Sequence, residues 1–356
     1  MKPVTGHLEV MDNGFGFLRS IDNNFKSDID NTYVSNGIIN RYGLREGCFI
    51  EGISEKKIKG DKNLALTSVD KINNLSVEEF SNVKQMQDQI SINPFEKFTL
   101  ARDEDDITGK ILDIITPIGK GQRGLIIAPP KSGKTTILKD MANSIVKNHP
   151  ESVVFILLVD ERPEEVTDFQ RGVEGAHVLY SSADQQSDQH MRMTRLALHS
   201  AINCVEAGND AIVFIDSLTR MTRAFNKETN SHGKTMTGGL GANAMEFPRK
   251  IFGAARKLEN GGSLTIIATI LVDTGSRMDD IIYQEFKGTG NMDLFLSQEC
   301  AENRIWPAIN VDLSGTRKEE LLLTKDEYKE AIRIRRELPK NNDLESMSKL
   351  IEQLSI

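Results

Sequence analysis

The sequence is poor in cysteine, in long apolar runs and in positive charge. Its three cysteines, Cys48, Cys204 and Cys300, are odd in number, far apart and without Cys-x-x-Cys spacing. That excludes a disulfide framework and suits reduced thiols in a cytoplasm. No stretch approaches the ~18 uninterrupted apolar residues of a membrane span. Met1–His7 also lacks the apolar core of a secretory signal. The expectation is a cytoplasmic protein with no membrane partner. Lys and Arg number 44 against 52 Asp and Glu, a net charge of −8. This argues against a generally basic nucleic-acid coat and leaves room for a local basic groove. At 356 residues the chain can hold one large domain and one small one.

What is present is organised around Ala128-Pro129-Pro130-Lys131-Ser132-Gly133-Lys134-Thr135-Thr136. The apolar run Leu125–Ile127 leads in, and an amphipathic run (Ile137, Leu138, Met141, Ile145) leads out. Strand, tight loop and helix form the context of a phosphate-binding loop, although Ala128 stands where the generic motif has glycine. The helix start offers unpaired N–H groups, Lys134 a cation for β/γ-phosphates, and Thr135 a hydroxyl for Mg²⁺. The reading is a site for a nucleoside triphosphate.

Apolar runs at Gly124–Ala128, Val153–Val159, Ala211–Ile215 and Leu264–Ile270 alternate with helical periodicity over Thr135–Lys147, Asp188–Ala207 and Gly241–Glu259. This predicts an α/β fold, a parallel sheet covered on both faces, with ligands at the carboxyl ends of the strands. Polar clusters stand at or near those ends. Asp160–Glu165 offers Glu161 to polarise a water and Arg162 to sense a γ-phosphate. Asp216 ends an apolar strand in the manner of a Walker B carboxylate serving Mg²⁺. Arg317, in the loop Leu313–Glu320, is either a finger inserted into a neighbouring subunit's site or a surface arginine.

Residues 1–73 read as a small all-β domain. Leu8–Val10, the turn Asp12-Asn13-Gly14 and Phe15–Arg19 form a hairpin, followed by strand-like Asn31–Val34, Cys48–Gly52 and Leu64–Val69. The number and spacing suggest a five-stranded OB or cold-shock barrel. Alternation puts Phe15, Phe17 and Arg19 on one face, with Gly14 and Gly16 leaving the other bare. The rings either stack on unpaired bases or fill the barrel core. Residues 74–106 read as a linker, with a possible helix over Ser76–Gln89. The motor domain spans 107–356 and ends in a helix with Leu344, Met347, Ile351 and Leu354 on one stripe. Two glycine-rich loops, Gly233–Leu240 and Asp273–Asp279, carry small hydroxyls and a cation each, suited to a phosphate chain or to plain connection.

Taken together, Gly121–Gly124, the Ala-Pro-Pro-Lys-Ser-Gly-Lys-Thr loop, Asp160–Val166, Asp216–Arg220, Gly253–Arg256, Phe286–Leu294 and Ser314–Leu321 resemble the transcription termination factor Rho family, in which Ala128 is the residue used at that loop position. The resemblance runs from about Gly6 to about Leu323. It implies a RecA-like P-loop motor behind an OB barrel, assembled as a homohexamer. Such a ring hydrolyses ATP with Mg²⁺, moves along single-stranded RNA and dislodges RNA polymerase. It implies that Gly119, Lys120, Gly121, Gln122, Arg123, Gly124 and Lys131–Thr136 surround the nucleotide, with Arg162 at the phosphates and Trp306 near the adenine. By the same resemblance Lys134, Glu161 and Arg317 are catalytic, Thr135 and Asp216 serve the metal, and Arg304 is a second contact from the adjacent subunit. RNA would meet Gly14, Phe15, Gly16, Phe17, Leu18, Arg19, Asn31, Thr32, Tyr33, Asp61, Lys62 and Asn63 on the barrel. In the channel it would meet Lys234, Thr237, Gly238 and Arg277.

Three departures bear on function. The resemblance starts almost at the barrel, so the family's amino-terminal helical subdomain is expected to be missing. Asn63-Leu64 replaces adjacent aromatics, removing stacking worth about 1–3 kcal/mol per base. Ala183–Met193 is unlike the family's pattern. Weaker or differently selective RNA binding at the barrel is the expectation. Rival readings on the same core are a hexameric DNA helicase or recombinase, or a rotary proton or export ATPase without the stacking strand.

Overall fold

The computed structural model describes residues 1–28, 31–55, 64–229, 239, 241 and 244–355. The chain opens with β1 (Lys2–Val10), β2 (Gly16–Arg19), β3 (Tyr33–Val34), α1 (Asn36–Tyr42), β4 (Phe49–Glu55), β5 (Ala65–Ile72) and β6 (Leu75–Ser76). The strands run in the order β3-β2-β1-β4-β5-β6, and pairing of β3 with β5 closes the first five into a barrel. The predicted hairpin forms at Gly14, whose φ of 80° suits glycine. Alternate residues point inward, so Leu8, Leu18, Val34, Ile50, Leu66 and Ile72 make the barrel core.

The next stretch holds α2 (Val77–Ser81), β7 (Ser91–Ile92) and β8 (Lys97–Phe98). The motor follows with α3 (Ile107–Ile115), β9 (Ile118–Gly119), β10 (Arg123–Ala128), α4 (Lys134–Asn148), β11 (Val153–Glu161), α5 (Pro163–Gly172) and β12 (His177–Ser182). Then come α6 (Ser187–Glu206), β13 (Asp210–Asp216), α7 (Leu218–Thr229), α8 (Glu246–Gly253), β14 (Arg256–Leu258) and β15 (Ser263–Leu271). The chain finishes with α9 (Arg277–Phe286), β16 (Met292–Leu296), α10 (Gln298–Glu302), β17 (Ile309–Thr316), α11 (Lys325–Glu337) and α12 (Asp343–Leu354). The main sheet runs β12-β11-β13-β15-β10-β16-β17, parallel except for edge strand β17. Near-continuous Val/Ile/Leu strands bury both faces. Leu125 and Ile127 pack with α6–α9, whereas Ile126 and Ala128 pack with α3, α4, α10 and α12.

The stretch read as a linker is built into both domains. Its helix stops at Ser81, where Phe80 plugs the barrel core. Strand β7 pairs with β14, β8 with β9, and Phe98 and Leu100 are fully buried in the motor. The predicted helix over Gly241–Glu259 is likewise shorter, ending at Gly253, and β14 turns antiparallel to β15. Short apolar runs are ambiguous by periodicity, and pairing decides them. Among the described residues no helix is long and apolar enough to cross a membrane.

Candidate nucleotide and RNA sites

The phosphate loop connects β10 to α4. Gly133, at φ 83°, is the N-cap and brings no side chain to the first N–H groups of the helix. They are left for an anion. Ser132 Oγ is spent on bracing the loop, donating to Pro129 O at 2.8 Å. Lys131 is exposed, with φ 62°. A Cβ on Gly133 would meet the Trp306 ring at 2.5 Å, so the indole lies directly over the loop. Beside it is a cavity of about 270 Å³ lined by Ser132, Gly133, Thr136, Ile137, Trp306 and Pro307, among others. Arg304 is exposed in the same turn as Trp306.

Parallel pairing delivers Glu161 from β11 and Asp216 from β13 to this carboxyl edge. Both are buried, at 1% and 0% exposure. The Lys134 ammonium touches Asp216 and lies 3.6 Å from Glu161 Oε1. Asp216 Oδ1 accepts a hydrogen bond from Thr269 Oγ1 at 2.7 Å. Its Oδ2 and both Glu161 oxygens are buried with no hydrogen-bond partner. Burial, then the nearby Asp216 charge, push the Glu161 carboxyl up to about 7 against the pull of Lys134 and Arg220. Orphaned carboxylate oxygens beside a lysine fit a hydrated divalent cation with phosphates and a polarised water. Among the described residues no group of three or more His, Cys, Asp or Glu offers a protein-only metal cage. Thr135 is half-buried at the helix start, and Arg162 is exposed at the start of α5.

Two further side chains, not expected from the sequence, belong to this site. Arg220 Nη1 donates to Asp160 O at 2.7 Å, and its Nε lies 3.1 Å from Glu161. Thr269 orients Asp216 from the neighbouring strand. Arg220 follows Asp216 closely in sequence, a signal that could have found it. Nothing local flags Thr269.

The structure places Gly119–Gly124 away from this chain's own phosphate loop. This segment precedes and begins β10, whereas the phosphate loop follows its end at Ala128, roughly 13 Å further at 3.3 Å per residue. Lys120 is buried and donates to Asp210 Oδ2 at 2.8 Å and Glu151 Oε1 at 3.1 Å. Gln122 and Arg123 bind Asn291 and the carbonyls of Thr289 and Ala255. They secure the amino edge of the sheet rather than this chain's own phosphate loop. Arg317 emerges at that edge too, exposed, after Thr316 pairs with Met292 beside Gly124.

On the barrel, Phe15, Phe17 and Tyr33 are half-exposed and meet one another at centroid distances of 5.5–5.9 Å. Neighbouring side chains of β2 turn away. A Cβ on Gly16 would strike Glu9 O at 2.4 Å, so the face expected to be bare is packed on β1. Leu18 is in the core, and Thr32 is 5% exposed. Arg19 is 5% exposed and ion-paired to Glu9 at 2.6 Å, not offered to solvent. Gly14 and Asn31 are half-buried at the rim. Asp61, Lys62 and Asn63 lie outside the described residues, as do Lys234, Thr237 and Gly238. Arg277 is exposed at the first position of α9. Its loop is anchored by fully buried Asp279, which takes Arg223 from α7 and Thr274 Oγ1 at 2.6 Å.

A parallel-sheet phosphate-loop motor joined to a barrel with an aromatic face defines an RNA-binding ATPase. Residues 109–316 match the ATP synthase alpha/beta family, nucleotide-binding domain, and residues 4–78 match the Rho termination factor, RNA-binding domain. Transcription termination factor Rho of Chromobacterium violaceum is 46% identical over 98% of this chain and 84% of that protein. Those of Escherichia coli K12 (44%, over 99% and 84%) and Rhodopirellula baltica (42%, over 98% and 68%) are also similar. The chain belongs to the transcription termination factor Rho family. A prototypical ATPase from the type III secretion system of pathogenic bacteria shares the fold, with a TM-score of 0.62, 21% identity, and coverage of 75% of this chain and 82% of that one.

Proposed function

We propose that the protein hydrolyses ATP to translocate 5′-to-3′ along nascent RNA and so dislodges RNA polymerase, as a homohexameric ring in the cytoplasm. The observation that carries this is the meeting of Lys134, Glu161 and Asp216 with orphaned oxygens at the carboxyl edge, in a chain that also exposes three clustered rings. Lys134 and the α4 N–H groups hold the phosphates, and Trp306 covers the base-sized cavity. Thr135 and Asp216 would hold Mg²⁺, which neutralises phosphate charge when bound. Glu161, raised toward neutrality in its buried site, orients the attacking water and takes its proton. Arg162 flanks the γ-phosphate.

Arg317 sits at the opposite edge from its own phosphate loop, which supports service as a finger in a neighbour's site. Arg304, beside Trp306, is assigned to the subunit boundary on the same reading. Phe15, Phe17 and Tyr33 stack on bases, and Arg277 grips RNA in the channel. The test is ATPase rate without polymer, with single-stranded RNA and with DNA of the same sequence. Strong stimulation by RNA alone is the expected result. Equal stimulation by DNA would replace this reading with a helicase or recombinase, and none by either would remove the translocase.

A further inference from the structure

Helix α6 carries Arg192 within Ala183–Met193, the stretch that departs from the family's pattern. The side chain leaves the motor and reaches the outer face of the barrel. Its Nε contacts Glu9, and its Nη2 donates to Glu9 Oε2 and to Phe25 O, both at 2.8 Å. Glu9 is 5% exposed and takes another hydrogen bond from Arg19 Nε at 2.6 Å. The Arg19 guanidinium in turn lies 4.9 Å from the Phe17 ring centroid. Glu9 is also the direct cross-strand partner of Phe17 in the β1–β2 ladder. One ring of the exposed triad therefore rests on an arginine, held by a carboxylate, held by the motor.

Charge and burial explain why all three links are needed. Glu9 with Arg19 alone would be a buried pair with carboxylate lone pairs unfilled, and such pairs are costly unless every site is satisfied. The second guanidinium fills them and brings the trio to a net positive charge beside Phe17, the sign that suits a phosphate chain. Arg192 approaches Glu9 with two nitrogens, fixing the carboxylate plane and hence the position of Arg19 under Phe17. The turn that leads into this helix lies beside Glu161, where Ala183 N donates to Glu161 O at 3.0 Å. The barrel is thus clamped to a helix whose preceding turn touches the Glu161 backbone.

We propose that Arg192 is a positioning residue of the RNA face: through Glu9 and Arg19 it sets the Phe17 ring for base stacking. This rests on the reading that Phe15, Phe17 and Tyr33 bind bases. The test is anisotropy titration of a short fluorescent oligocytidine RNA with the full chain, in a double-mutant cycle. Phe17→Ala is expected to weaken binding about tenfold, and Arg192→Met about fivefold. Arg192→Met in the Phe17→Ala background is expected to weaken it no further, because the effect of Arg192 passes through that ring. Wild-type affinity of Arg192→Met, or losses that multiply in the double variant, would overturn the proposal. Wild-type affinity of Phe17→Ala would overturn the RNA-face reading itself and this inference with it. If Arg192→Met does not fold, Arg192→Lys keeps the charge without the two-nitrogen grip. The same non-additive loss is expected there, and wild-type affinity would again sink the idea.

Discussion

The two edges of the motor sheet carry similar charged residues and treat them oppositely. At the amino edge Lys120 binds Asp210 and Glu151, Ser263 donates to Asp210 at 2.7 Å, and Lys257 pairs with Glu96 at 3.0 Å. Burial alone would raise the Asp210 carboxyl, yet hydrogen bonds from Lys120 and Ser263 hold it below its usual range. At the carboxyl edge Glu161 and Asp216 share Lys134, with Arg220 beside Glu161, yet keep oxygens without a hydrogen bond, and Glu161 moves the other way. The lesson concerns what a buried charge signifies. Where the protein satisfies it internally the charge braces the fold, and where it does not the outstanding interactions are kept for a ligand. Lys120, within Gly119–Gly124, belongs to the first case.

The largest effect separating the edges is expected from Glu161→Gln. RNA-stimulated turnover should fall at least about 100-fold while the melting temperature holds or rises, since a buried, repelled carboxylate is removed. A melting temperature lowered by several degrees with turnover intact would show that Glu161 is a structural charge instead. Asp210→Ala should do the reverse. Leaving buried Lys120 with only half-exposed Glu151 costs about 2 kcal/mol in denaturant unfolding, with ATPase of the folded protein near wild type. A turnover collapse without destabilisation would put the amino edge back into the nucleotide site.

Acid sharpens the comparison further, because the barrel docks near the amino end of β12. His7 is driven down to about 4, chiefly by burial, with His177 adding repulsion. A lowered histidine keeps the folded state neutral while the unfolded chain protonates near 6.5. Its contribution is therefore complete above pH 6.5 and is lost as pH falls from 6.5 toward 4, by up to about 3 kcal/mol. Unfolding free energies of wild type and His7→Gln across that window should converge as pH falls. Parallel curves would remove His7 from the account. The smallest effect is expected for Trp306→Ala, about a tenfold higher KM for ATP with kcat little changed, because the indole touches the cavity and not the reacting atoms.

Much of this was legible along the chain. The phosphate loop, Glu161 and Asp216 were readable because each is the polar end of an apolar strand, and parallel strands all deliver their ends to one edge. The barrel followed from the Asp-Asn-Gly turn and alternation. The sequence pattern does not single out β12, β16 and β17, and residues 74–106, which read as a linker, place Phe80, Phe98 and Leu100 in two different cores. Alternation puts Arg19 on the Phe17 face, where it lies, and says nothing of the buried acid on the next strand that pairs with it.

Local pattern is enough to specify that this chain builds a phosphate-binding motor and a β-barrel, since spacing, turn chemistry and apolar runs act over a few residues. Which charges are braces and which are reactive depended on strand order. Asp210 and Asp216 lie on one strand, yet one end of β13 meets Lys120 and the other meets Lys134 and Glu161. Burial and partners at each end come from segments distant in sequence, and those alone determine whether a carboxylate is satisfied.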